Sequence, residues 1–279
     1  MNRRGLARIA WVNRAAKRAI GGLPYVLRKV VLDIIHNGVR RRPPWSGVYR
    51  SFDDVKDAVY PSPETRFGFA KQGLSIRRDE ASSLVTLRRS HALLPLAVAL
   101  MARCNQPLRI LDFGGSGGID YVGVSETTDA DIRYHIVETS ATCDAGRRLW
   151  PGNARISFSE TMPPHGEQFD IIYAWSAVHY VPEPLSLMAS FALYRPKAIL
   201  IVGSPFAQKA FVRAQRGAGG HFPQWVMSLP ETERTMKEVG YKLSFRATDE
   251  SDYNVDNYPP EYRVGSSAIL LFTPRKAMT

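Results

Sequence analysis

With 279 residues, 44% of them apolar, the chain suits one large domain with appendages or two small ones, and is too apolar to be globally disordered. Its formal charge of +11 is uneven: residues 1–42 hold eleven Lys/Arg and a single acid, Asp33, so the rest is nearly neutral and no nucleic-acid partner is expected. Two cysteines, Cys104 and Cys143, form neither a disulfide framework nor a metal knuckle and point to a reducing, cytoplasmic compartment, and no run of about 18 apolar residues suits a membrane span.

Residues 5–20 carry a helical pattern, with Leu6, Ile9, Val12, Ala16, Ala19 and Ile20 on one side and Arg4, Arg8, Arg14 and Arg18 on the other. Gly21-Gly22 breaks it, and a second amphipathic helix is predicted from Pro24 to His36. This basic extension, 1–42, fits a peripheral anchor on an anionic surface such as the inner membrane. It fits equally a helical hairpin packed on the body or on another subunit. Charges interrupt every candidate apolar core, which argues against a secretory signal, and the stretch is too poor in serine for a mitochondrial presequence.

Residues 43–104 form a predicted helical and loop cap region. The aromatics of Trp45-Ser-Gly-Val-Tyr49-Arg-Ser-Phe52 should pin it to the body, a helix should start at Asp53, and a helix over 81–104 should carry Leu84, Leu87, His91, Leu94 and Val98 on one side, kinked at Pro95.

From 105 to 279 the pattern alternates strand and helix. Strands are expected at 108–113, 133–138, 155–159, 169–175 and 197–203, and helices near 117–125, 140–149 and 184–194. Such alternation implies a parallel sheet covered on both faces. Ser228-Leu-Pro-Glu231 reads as a capping box opening a helix to Val239, ended by Gly240, and two strands, 241–247 and 267–272, close the chain.

Three features converge at strand ends. Leu108-Arg-Ile-Leu-Asp112 runs into Phe113-Gly114-Gly115-Ser116-Gly117-Gly118, a turn whose backbone N–H groups can hold an anionic group. Glu138 ends the next strand, where a carboxylate can accept two hydrogen bonds from a ribose. Ser159-Glu160 ends the third, where a polar side chain can meet an adenine edge. Ligands of open α/β sheets bind at such carboxyl ends. The register excludes G-x-G-x-x-G, since position 120 is Asp120. There is no metal-ligand spacing, no Gly-x-Ser-x-Gly elbow and no phosphate-binding Gly-Lys-Ser/Thr loop.

An acid two residues before the first glycine, with a final antiparallel strand pair, resembles the class I S-adenosylmethionine-dependent methyltransferases, whose loop is D-x-G-x-G-x-G; here Ser116 replaces the middle glycine. The resemblance implies a Rossmann-like seven-stranded sheet, mostly parallel with the last strand antiparallel, and S-adenosyl-L-methionine as cofactor. It implies that Asp112, Gly114, Gly115, Ser116 and Gly118 face the methionine part, Glu138 the ribose and Glu160 the adenine. Phe169-Asp-Ile-Ile-Tyr-Ala-Trp-Ser176-Ala-Val-His179-Tyr180 matches the fourth-strand motif and adds Ser176. Trp45-x-Gly47-x-Tyr49-x-Ser51 and Trp225-x-x-Ser228 narrow the likeness to a bacterial family of methyltransferases without a proven substrate, found near surface-polysaccharide genes. That implies O-methylation of a sugar or glycan precursor.

A hydroxyl acceptor benefits from a general base. His179, after the fourth strand, is the first candidate, against a role in shaping the pocket. His221, in the glycine-rich Arg216-Gly-Ala-Gly-Gly-His-Phe-Pro stretch, is the second, as part of a mobile lid. The alternatives are a non-catalytic S-adenosylmethionine-binding or scaffold protein of the same fold and a dinucleotide-dependent oxidoreductase, the latter disfavoured by the loop register.

Overall fold

The computed structural model describes residues 45–56, 58, 89–102, 106–217, 220–248, 255, 257–264 and 266–275. All belong to the unit that begins at Trp45. The expectations for residues 1–42, and for 81–88 of the helix before the sheet, lie outside the described residues.

A seven-stranded sheet organises this unit. In chain order its strands are β2 (Leu108–Phe113), β3 (Ile132–Val137), β4 (Ile156–Ser159), β5 (Ile171–Trp175), β6 (Ala198–Ser204), β10 (Tyr241–Thr248) and β11 (Ala268–Pro274). They lie side by side in the order β10-β11-β6-β5-β2-β3-β4. β2 to β6 are parallel, and β11 is antiparallel to both of its neighbours. The chain runs outward from β2 through β3 to β4, then returns to the other side of β2 as β5. The order therefore reverses at β2, where open α/β sheets leave a crevice at the carboxyl ends of their strands.

The strands are near-continuous apolar runs because both faces are buried. Ile110, Tyr134, Ile171, Tyr173, Leu200 and Val202 point to one face, packed with Leu94 and Val98 of helix α1 (Arg89–Met101) and Tyr121, Val122 and Val124 of α2 (Ile119–Thr127). Leu111, Ile172, Ala174, Ile199 and Ile201 point to the other, packed with Met188 and Phe191 of α4 (Pro184–Phe191) and Leu229 and Met236 of α5 (Leu229–Glu238). Helix α3 (Ser140–Leu149) packs on β4, with Cys143 and Ala145 buried. The expected cap on α5 is present: Ser228 Oγ accepts from the Glu231 backbone N–H at 3.3 Å, and Gly240 ends the helix at φ +90°. Pro95 lies inside α1.

Two expectations need correction. Residues 53–56 are turns rather than the start of a helix. Asp54 Oδ2 accepts the backbone N–H groups of Arg50 and Ser51 at 3.1 and 3.0 Å, a local side-chain bond that competes with helix. The stretch around His221 is not a loose lid but strand. β8 (Phe211–Gly217) and β9 (Gly220–Ser228) pair antiparallel, and with β1 (Trp45–Tyr49) and the short β7 (Phe206–Ala207) they form a second sheet in the order β1-β8-β9-β7. Its register is set by alternation. Phe211 packs with Trp45, Val226, Tyr258 and Val264, whereas Val212 and Ala214 pack with Phe52 and Val55. Trp45 and Phe52 are thus pinned to the body, as their aromatic spacing suggests.

Candidate functional site

The site is built from the ends of β2 to β5. Asp112, the penultimate residue of β2, is fully buried, and the glycine turn folds back over it: a Cβ on Gly115 would lie 2.2 Å from Asp112 Oδ2, so the loop can close down only without a side chain there. Gly114, at φ +76°, would drive a Cβ to 2.4 Å from the Ala177 Cβ, so the loop also abuts the turn after β5. The loop is held by Gly114 N–H donating to the Val137 carbonyl (2.9 Å) and by Trp150 Nε1–H donating to the Gly117 carbonyl (2.8 Å). Ser116 adopts φ +52°, the left-handed region that glycine favours. The serine therefore fills a glycine conformation at a backbone cost rather than changing the loop's path.

Glu138 and Glu160 flank the N-terminus of α3. Glu138 N–H donates to the Ser159 carbonyl (3.0 Å), and its Oε2 accepts from the Thr139 N–H (2.8 Å). Glu160 Oε1 accepts from Ser140 Oγ at 2.9 Å and is exposed. Cys143, a free buried thiol, shares its proton between the Glu138 and Ser159 carbonyls at 3.3 and 3.2 Å, locking the two strand ends together. Ser176 follows β5, exposed and at φ +51°. Two non-glycine residues in the left-handed region, both beside the glycine loop, are the sort of backbone strain that clusters at functional sites. All eight sequence-predicted binding residues thus lie at adjacent carboxyl ends.

The two candidate bases separate. His179 lies in the 178–180 turn after β5, buried, with Nδ1 2.9 Å from Ser204 Oγ and Nε2 without a hydrogen-bond partner. Burial, and then the nearby Arg213 charge, push its pKa down to about 3, so the ring is neutral at pH 7. His221 opens β9, half-buried, opposite Arg216 and bridged to Ala58. Among the described residues, no hydrogen bond or ring contact joins it to His179 or to the glycine loop.

Arg213, Gln215 and Gln224, which the sequence patterns missed, join Tyr180 and Trp225, which those patterns include, beside the site. Tyr180 OH donates to Gln215 Oε1 and accepts from Gln224 Nε2 (3.0 Å). Gln224 Oε1 accepts from Arg213 Nε at 2.6 Å, and the buried Arg213 guanidinium lies 4.3 Å from the Trp45 ring centroid. Trp225 Nε1–H donates to the Pro182 carbonyl at 3.0 Å. This polar chain fastens the second sheet to the turn that carries His179. Alternation in Phe-Val-Arg-Ala-Gln is its one signal in the sequence.

The chain matches no family model and no curated protein. It does resemble solved structures. One is a chain from the complex of the Haloferax volcanii Trm112 methyltransferase activator with a proposed methyltransferase, 10% identical, covering 78% of this chain and 100% of that one at TM-score 0.51. Another is Burkholderia thailandensis 1,6-didemethyltoxoflavin-N1-methyltransferase with bound 1,6-didemethyltoxoflavin and S-adenosylhomocysteine, 14% identical, covering 85% and 98% at TM-score 0.48. A third is the [4+2]-cyclase SpnF, 15% identical, covering 65% and 80% at TM-score 0.44. Identities this low speak to fold alone. The strand order, the antiparallel β11 and the likeness at TM-score 0.51 agree that the chain has the Rossmann-like class I methyltransferase fold.

Proposed function

We propose that the chain binds S-adenosylmethionine at the ends of β2 to β5 and transfers its methyl group to a hydroxyl of a small molecule, a sugar or glycan precursor in our reading. The observation that carries this is the glycine loop sealed over buried Asp112, with Glu138 and Glu160 on either side of the α3 N-terminus. The donor set fits the group. Glu138 has carboxylate lone pairs for a ribose diol, Glu160 for an exocyclic amine, and the loop offers backbone N–H groups to a carboxylate. The cofactor supplies a methyl group already activated by its sulfonium.

What the chain must add is alignment and proton handling. Alignment of acceptor and methyl contributes several kcal/mol. His179 is too weak a base to ionise an alcohol beforehand. As the new O–C bond forms, however, the hydroxyl proton becomes strongly acidic, and a neutral imidazole accepts it at Nε2. Ser204 fixes the ring through Nδ1. The β8–β9 pair packs on the 178–180 turn that carries the ring.

Replacing Glu138 by Ala should weaken S-adenosylhomocysteine binding about 10- to 100-fold, by loss of charge-assisted hydrogen bonds, with little change in stability because the side chain is half exposed. Unchanged affinity by calorimetry contradicts the site. Among the described residues no helix is long and apolar enough to cross a membrane. For residues 1–42 the reading is a peripheral anchor that holds the enzyme at the inner membrane face. Full-length protein should co-sediment with anionic vesicles at low salt, and protein lacking 1–42 should not; equal binding contradicts the anchor.

A further inference from the structure

Beneath the glycine loop lies a buried group of four titratable side chains from four elements. Asp112 of β2 is 0% exposed, and Asp120 in the first turn of α2 is 5% exposed. Tyr134 of β3 donates its hydroxyl to Asp112 Oδ2 at 2.6 Å. Tyr173 of β5 is the ladder partner of Asp112, so the two side chains stand on the same face of adjacent strands. Asp112 Oδ1 and the Tyr173 hydroxyl are both buried and have no hydrogen-bond partner. The loop closes directly on the carboxyl at Gly115, which shuts out water from above.

An ionised carboxylate in this position keeps one hydrogen bond and loses its solvent. Among the described residues, the charged groups that act on it, Asp120 from α2 and Glu138 from the end of β3, are themselves carboxylates. Burial, and then the Asp120 and Glu138 charges, raise its pKa well above the usual range, against the lowering effect of the Tyr134 hydrogen bond. The tyrosines offer no charge in exchange, because burial and then the Asp112 and Asp120 carboxylates push both phenols upward. Among the described residues no cation acts on Asp112, and the loop above it is the proposed seat of a ligand whose amino-acid end carries an ammonium.

We propose that Asp112 holds a proton in the ligand-free protein and gives it up to solvent when the ammonium of the ligand's zwitterionic amino-acid end settles over it at the glycine loop, so that cofactor binding is coupled to proton release. This rests on the S-adenosylmethionine reading and adds to it a linkage that the loop motif does not imply. The carboxylic acid is the resting form. The ammonium supplies the missing charge through the thin loop, and the carboxylate becomes the bound form. Oδ1, unpartnered in the acid form, is the atom left to respond.

The test is calorimetry on the full chain, titrated with S-adenosylhomocysteine in pairs of buffers of different ionisation enthalpy. It runs between about pH 5 and 7, below the titration of a free α-amino group. Release should approach one proton per site within this range, and Kd should tighten by up to about tenfold per pH unit where it does. Titration with 5′-methylthioadenosine, which lacks the amino-acid end, should release none. Asp112→Asn should weaken S-adenosylhomocysteine binding, and the binding that remains should come without proton release and with a flat pH dependence. Binding of S-adenosylhomocysteine by the wild-type chain with no proton release anywhere in the range overturns the proposal. Equal release with 5′-methylthioadenosine, or equal release in Asp112→Asn, overturns it too. Failure to bind either nucleoside instead contradicts the cofactor reading, and this inference with it.

Discussion

Ser116 and His179 show how single residues carry the constraints of the site. Ser116 stands at φ +52° where the related loops have glycine. A left-handed conformation costs an L-residue roughly 1–2 kcal/mol, and among the described residues no hydrogen bond of the Ser116 hydroxyl offsets it. Ser116→Gly should therefore stabilise the protein by about 1 kcal/mol, raising Tm by about 2–4 °C; a drop in Tm would mean that the hydroxyl has a structural role. His179 carries a pKa lowered to about 3. The unfolded chain binds a proton near pH 6.5 that the folded chain refuses. Stability from this residue is complete above about 6.5 and is lost progressively as pH falls toward 3, by up to about 1.4 kcal/mol per pH unit. In chemical denaturation at pH 7, 6 and 5, His179→Gln should lose stability less steeply than the wild type. Parallel pH profiles would show that the ring is not buried neutral.

The elements divide by the range of the interactions that define them. The strands of the main sheet are legible because burial on both faces leaves unbroken runs such as Ala-Ile-Leu-Ile-Val in β6. The helix ends are legible because capping is local, as at Ser228 and Gly240. The second sheet is not legible. β1 pairs with β8 across more than 160 residues, Trp45 against Gln215, and the glycines between β8 and β9 read as a loop. Asp112, Glu138 and Glu160 are legible as strand-end acids, whereas Tyr134, Cys143 and Trp150 have roles fixed by partners 16 to 33 residues away. Tyr180 joins the two sheets, and Tyr180→Phe leaves Gln215 and Gln224 short of a partner. That should cost about 1–3 kcal/mol and speed amide exchange over 211–228 more than in β2 or β5. Uniform exchange across both sheets would contradict the idea that this hydroxyl fastens the cap.

At the level of the whole molecule, a seven-stranded sheet carries the proposed ligand site at the carboxyl ends of its strands, and a smaller sheet is tied to the turn beside it. The first supplies a loop, three carboxylates and two strained serines from the ends of four strands, β2 to β5. The second supplies Arg213, Gln215 and Gln224 to the polar chain that meets Tyr180. The topology accommodates many chemistries, so the central claim rests on the cofactor and is tested most directly by its binding. Calorimetry of the full chain with S-adenosylhomocysteine and, separately, with NAD decides it. The account predicts saturable binding of S-adenosylhomocysteine, weakened by Glu138→Ala, and none of NAD. Binding of NAD alone, or S-adenosylhomocysteine binding that ignores Glu138→Ala, would contradict it.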